Sequence, residues 1–198
     1  MTKFDKYIDK ASRFYRKNTE YYHTIYHIKN MFKLYEYFEE TFDKEFGEYN
    51  KDILCWAIAY HDSFYMPGFV RNEELSAIIA KTELVPITDQ NEVARLILNT
   101  IPSNNYFPTI EDKIIHDLDW SGFSQWDDFI NNQRRILREA VEVGGYSEDT
   151  VKENQYKFYK SISDKNLYVT KTFSKFNEKA KHNLKEGLAL IDLKRKDK

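Results

Sequence analysis

The sequence predicts an all-α protein, and three observations carry that prediction. Its 198 residues include only 4 prolines and 6 glycines, so long stretches run free of helix breakers. Apolar residues recur at three- and four-residue spacing, and no stretch alternates as a half-buried strand does. Capping signals stand ahead of several of these periodic stretches. The length suits one domain, 1–198, and no internal repeat divides it. The expectation is a single bundle of about eight to nine helices with a frayed tail over roughly 190–198.

The elements follow in order. A first helix is expected over roughly residues 4–16 and a second over roughly 22–42, whose stripe is His27, Met31, Leu34 and Phe38. His23 then lies one turn before His27 on the same side. The stretch of roughly 51–62 contains Leu54-Cys55-Trp56-Ala57-Ile58-Ala59-Tyr60-His61-Asp62, a helix apolar on nearly every face and therefore buried. A loop over roughly 63–71 holds Pro67-Gly68. Asn72 reads as the N-cap of a helix to about residue 83, with Glu73 and Glu74 in its first turn.

A helix over roughly 89–100 presents Val93, Leu96 and Ile97. Pro67, Pro86, Pro102 and Pro108 all fall in expected loops. Thr109-Ile110-Glu111-Asp112 resembles a capping box, and so does Ser124-Gln125-Trp126-Asp127. The helix behind the first turns Ile110, Ile114, Ile115 and Leu118 inward, with Asp119 at the edge of that face and Asp117 more sideways. The helix behind the second runs to about residue 143, where Gly144-Gly145 ends it. Two more helices are expected over roughly 147–161 and 168–193.

Composition narrows the function classes. Hydrophobic residues make up 41% and charged residues 31%, an ordinary globular balance. A net charge of −2 argues against a dedicated nucleic-acid binder, which carries a basic face. The single cysteine, Cys55, permits no disulfide within the chain and suits a reducing compartment. No apolar run reaches the roughly 18 residues of a membrane span, and residues 1–6 lack the apolar core of a secretory signal. A cytoplasmic protein is expected.

The chemistry lies in ionisable residues on apolar faces. His27, His61, Asp62 and Asp119 come from three separate expected helices. Burying such groups unpartnered costs roughly 2 kcal/mol or more each, and a metal ion satisfies several at once. Two imidazoles and two carboxylates suit one divalent ion: Mn, Fe, Co, Ni, Zn or, with less affinity, Mg. A lone histidine on an apolar face is more often a hydrogen-bonded core residue, so the weight rests on the combination. A di-iron oxygenase site would need about six ligands, and four are in view. His116 and His182 read as surface residues.

The motifs resemble those of the HD-domain superfamily, more narrowly its small family of predicted metal-dependent phosphohydrolases. The resemblance rests on Tyr22-His23-Thr24-Ile25-Tyr26-His27-Ile28, Tyr60-His61-Asp62-Ser63-Phe64-Tyr65, Asn72-Glu73-Glu74-Leu75-Ser76-Ala77 and Asp117-Leu118-Asp119. Leu167-Tyr168-Val169-Thr170 and the stretch from Glu178 to Leu184 are similar to that family's tail. It implies an HD-type helical fold and a metal site of His27, His61, Asp62 and Asp119. Two departures favour one metal over two. Asn72 stands where some branches have a histidine, and Ile101-Pro102-Ser103 follows Thr100 where a histidine often stands.

The expected activity is hydrolysis of a nucleotide or other small phosphate ester by a metal-activated water. Asp62, His23 and Glu73 are the expected catalytic residues: His23 as a donor to the phosphate or leaving group, Glu73 as a carboxylate orienting a ligand. His23, Arg71 and Tyr65 are expected to bind substrate, with Phe64 and Phe69 helping the loop to act as an aromatic lid. The rival expectation is an HD module that binds a nucleotide or protein without turnover. A homodimer face on the Tyr- and Phe-rich C-terminal helices is a further expectation.

Overall fold

The computed structural model describes residues 2–84 and 89–196, so the expected loop position of Pro86 lies outside the described residues. The described residues form ten α-helices and no β-sheet. They are α1 Asp5–Ala11, α2 Ile25–Phe46, α3 Lys51–Tyr60, α4 Asn72–Glu83, α5 Gln90–Leu98, α6 Ile110–Asp119, α7 Trp126–Glu142, α8 Glu148–Ile162, α9 Lys171–Ser174 and α10 Asn177–Lys196. Short 3-10 turns follow α1 (Ser12–Phe14) and α6 (Trp120–Phe123). The all-α expectation holds. Among the described residues no helix is long and apolar enough to cross a membrane.

α3 is the hub. Every residue from Leu54 to Tyr60 is buried, and α1, α2, α4, α5 and α6 pack around it. Asn50 caps it, accepting from the Ile53 N–H at 3.1 Å. α7, α8 and α10 form a second group that meets the first through the turn Trp120–Phe123. Gly187 lets α10 lie against the Phe129 ring: a Cβ there would stand 2.8 Å from it.

Several boundaries differ from expectation, each for a local reason. α2 begins at Ile25, because Thr24 is extended (φ −135°, ψ 169°); His23 therefore lies in the approach to the helix. Asn72 is the first residue of α4 and does not cap it. Its amide instead clamps Met66, donating to the carbonyl at 3.1 Å and accepting from the N–H at 2.9 Å. Ser124 does not open a capping box. Its backbone is helical (φ −90°, ψ −14°), and an N-cap needs extended backbone. Its hydroxyl donates to the Ser121 carbonyl at 2.9 Å, and Gln125 precedes α7.

The expected box at Thr109 is present, with Thr109 and Asp112 each accepting from the other's backbone N–H. The expected last helix is two helices. Asp117, fully buried rather than sideways, accepts from the N–H groups of Val169 and Thr170 and from the Thr170 hydroxyl, which holds 168–170 out of helical form. Asn177 likewise accepts from the N–H groups of Leu167 and Tyr168 at 2.7 and 2.9 Å. The backbone of α10 then continues through Lys196.

Candidate metal centre

α3 ends where its apolar face meets the second helical group, and His61 follows its last residue. The ring is 2% exposed. Its Nδ1–H donates to the Ile58 carbonyl at 3.0 Å, which turns Nε2 inward. That buried Nε2 has no hydrogen-bond partner. Carboxylate oxygens nevertheless stand near it, Asp62 Oδ2 at 3.3 Å and Asp119 Oδ1 at 3.6 Å. His27, from the first turn of α2, places Nε2 at 3.0 Å from Asp119 Oδ1 and 3.9 Å from Asp62 Oδ2. Asp119 closes α6. One ligand atom from each of His27, His61 and Asp119 lies within 4.8 Å of the other two.

The electrostatics follow from burial and proximity. Burial opposes charge on His61, but Asp62 and Asp119 outweigh it and raise its pKa well above the ordinary histidine value. Burial likewise opposes ionisation of Asp119 and Asp62. The hydrogen bond from His27 and the nearby His61 ring prevail for Asp119, and the field of His61, His23 and His27 for Asp62, so both are held below the usual carboxylate range. The carboxylates are thus ready to ligate. The donor set fits a divalent first-row ion: two imidazole nitrogens, one orphaned and oriented by a backbone carbonyl, with ionised carboxylates beside them.

A cavity of about 270 Å³ opens on the cluster. His61, Asp62 and Asp119 line it together with His23, Tyr65 and Glu73. His27 faces a neighbouring polar cleft that shares Tyr22, Gly122 and Asn132 with the cavity wall. His23 Nδ1 lies 2.7 Å from Glu139 Oε2, which also accepts the His23 backbone N–H at 3.2 Å. The Tyr65 ring stacks on His23, centroids 3.3 Å apart. Glu73 lines the same cavity, and burial raises its pKa, but among the described residues it makes no hydrogen bond to His27 or His61 and so does not orient a ligand as expected.

The structure does not bring every expected residue here. Arg71 points away, pairing with Glu74 at 2.7 Å, and does not line the cavity. Phe64 and Phe69 also stay outside it and pack on each other at 5.8 Å. The loop of 63–71 is pinned rather than free. Ser76 binds the backbone of Phe64, Asn72 that of Met66, and Arg16 the Tyr65 carbonyl. His116 is not a surface residue: it is half-buried between Phe107 and Trp120, with Nε2 on the Leu167 carbonyl at 2.9 Å. His182 is exposed as expected.

Sequence reasoning missed Glu139, which is 1% exposed and holds both His23 and Arg16. A signal was available. Glu139 falls in helical phase with Phe129, Asn132 and Ile136, the face that α7 turns to the cavity. Comparison with protein-family models, curated proteins and solved structures returns no match for this chain.

Proposed function

We propose that the chain is a metal-dependent phosphohydrolase of HD type, acting on a nucleotide or other small phosphate ester. The observation that carries this reading is the convergence of His27 Nε2, His61 Nε2 and an Asp119 oxygen within 4.8 Å, with a buried His61 nitrogen that no protein group satisfies. The sequence order His27, His61-Asp62, Asp119 supports the HD type through the resemblance described above. His27, His61 and Asp119 would hold the ion, with Asp62 Oδ2 beside both histidines. A divalent ion held there would supply Lewis-acid polarisation and lower the pKa of a bound water.

The chain's own residues do the rest. The Ile58 carbonyl fixes the His61 tautomer. Glu139 accepts from the Nδ1–H of His23 and stabilises its doubly protonated form, in which Nε2 carries the proton that passes to the departing oxygen and leaves the ring neutral. The stacked Tyr65 holds that ring in place and shields it from bulk water. The place taken by Asn72 is structural, since its amide pins the loop behind the doublet; no catalytic role is assigned to it.

The test is hydrolysis of nucleoside mono-, di- and triphosphates with Mn²⁺ present, beside an Asp62→Ala control. Turnover that the control loses supports the reading. Metal-loaded protein with no turnover on any member turns it to a binding module.

A further inference from the structure

The cavity has two unlike sides. One carries His61, Asp62 and Asp119. On the side that it shares with a separate groove between α7, α8 and α10, Gln133 meets Gln155, whose amide N–H donates to the Gln133 carbonyl oxygen at 3.1 Å. Aromatic rings wall the space around this pair: Trp120 and Phe123 from the turn after α6, Phe158 and Tyr159 from α8. We infer that this amide-and-aromatic side is a nucleobase subsite, so that, resting on the phosphohydrolase reading, the substrate is a mononucleotide.

Three features select that chemistry. Rings packed around a small space take a planar π-system by stacking. The glutamine pair spends one donor and one acceptor on itself. The Gln133 amide nitrogen and the Gln155 carbonyl oxygen are then left without a protein partner among the described residues. A donor beside an acceptor is the pattern that the edge of a nucleobase complements. No lysine or arginine lines the cavity among the described residues, while Asp62, Glu73 and Asp119 do. The part of the substrate that fills this side is therefore uncharged. At about 270 Å³ the space lies just below the usual range of small-molecule sites, which suits a ligand no larger than one mononucleotide unit within it.

The experiment needs no turnover. Chelator-treated protein is titrated with adenosine, guanosine, cytidine and uridine, and with ribose as control, by ligand-observed NMR. The wild type is expected to bind at least one nucleoside and not ribose. Gln155→Leu should weaken that binding about tenfold or more. Gln133→Leu and Gln155→Met provide independent variants if the first fails to fold. The inference is overturned if no nucleoside binds at its solubility limit, or if folded Gln155 and Gln133 variants bind as the wild type does. Nucleoside binding without hydrolysis of any mononucleotide in Mn²⁺ would keep the subsite and remove the hydrolase. Hydrolysis without nucleoside binding would do the reverse.

Discussion

His61 owes its chemistry to its position just after a helix that is buried along its whole length. Its Nε2 is buried, and no protein hydrogen bond satisfies it. The cost of such an atom is offset when an ion fills the gap. Asp119→Asn removes one ligand charge with little change of shape. Elemental analysis of the purified variant should show metal content falling from about one ion per chain to near none. His23 is held by Glu139 from a helix more than a hundred residues away in sequence. His23→Ala should lower hydrolysis of an alkyl phosphate by roughly 10²–10⁴-fold. It should lower that of p-nitrophenyl phosphate far less, because a good leaving group needs no proton; steady-state kinetics on the two esters checks this. Glu139→Gln should follow the same pattern more weakly. At this scale the cluster was legible, because His27, His61 and Asp119 sit in phase with apolar residues and the structure brings them together. Arg71 was misjudged: nearness in sequence to the doublet does not tell which way a side chain turns, and Glu74 captures it. Glu139 was missed because its partners, His23 and Arg16, are remote in sequence.

Helix boundaries decide where those residues point. α3 and α6 deliver His61 and Asp119 at their ends, and α2 delivers His27 at its start. The hub depends on close packing, so Ile58→Ala, at a site with no exposure, should cost roughly 2–5 kcal/mol in urea unfolding. Asp117 is a clamp between elements: its carboxylate accepts three hydrogen bonds from Val169 and Thr170. Asp117→Ala leaves the N–H and hydroxyl of buried Thr170 without partners and should cost roughly 3 kcal/mol, read from the same unfolding curves. The neighbouring pair thus divides: Asp117 clamps backbone between elements, and Asp119 faces the histidine cluster proposed to hold the ion. Helical phase favoured Asp119 for the metal, but it did not reveal that Asp117 is the more buried of the two. Most helices were legible from periodicity. The failures lie at ends: Asn72 and Ser124 look like caps in sequence, yet each spends its side chain on a different backbone partner. The break before α10 depends on Asp117 and Asn177 binding backbone at 167–170, contacts that span helices and leave no local trace in sequence.

As a whole, the molecule is two helical groups with the cluster between them. α3 and its neighbours supply the His27, His61 and Asp119 cluster, and α7 and α8 supply the far wall of the cavity. An ion that binds only the folded chain stabilises it by mass action, about 2.7 kcal/mol at a hundredfold excess over Kd. Thermal scans with Mn²⁺ at that excess should therefore raise Tm by roughly 5–10 °C, and Asp119→Asn should show no rise. The all-α class was legible from breaker content and spacing alone. The second group's contribution was not, since Gln133, Gln155 and Glu139 gain meaning only when α7 and α8 fold back over α3 and α6. The measurement closest to the centre of this account is calorimetric titration of chelator-treated protein with Mn²⁺. The wild type should bind about one ion per chain, and Asp119→Asn and His61→Ala should bind none at the same concentrations. A wild type that binds no ion, or variants that bind as well as the wild type, would contradict it.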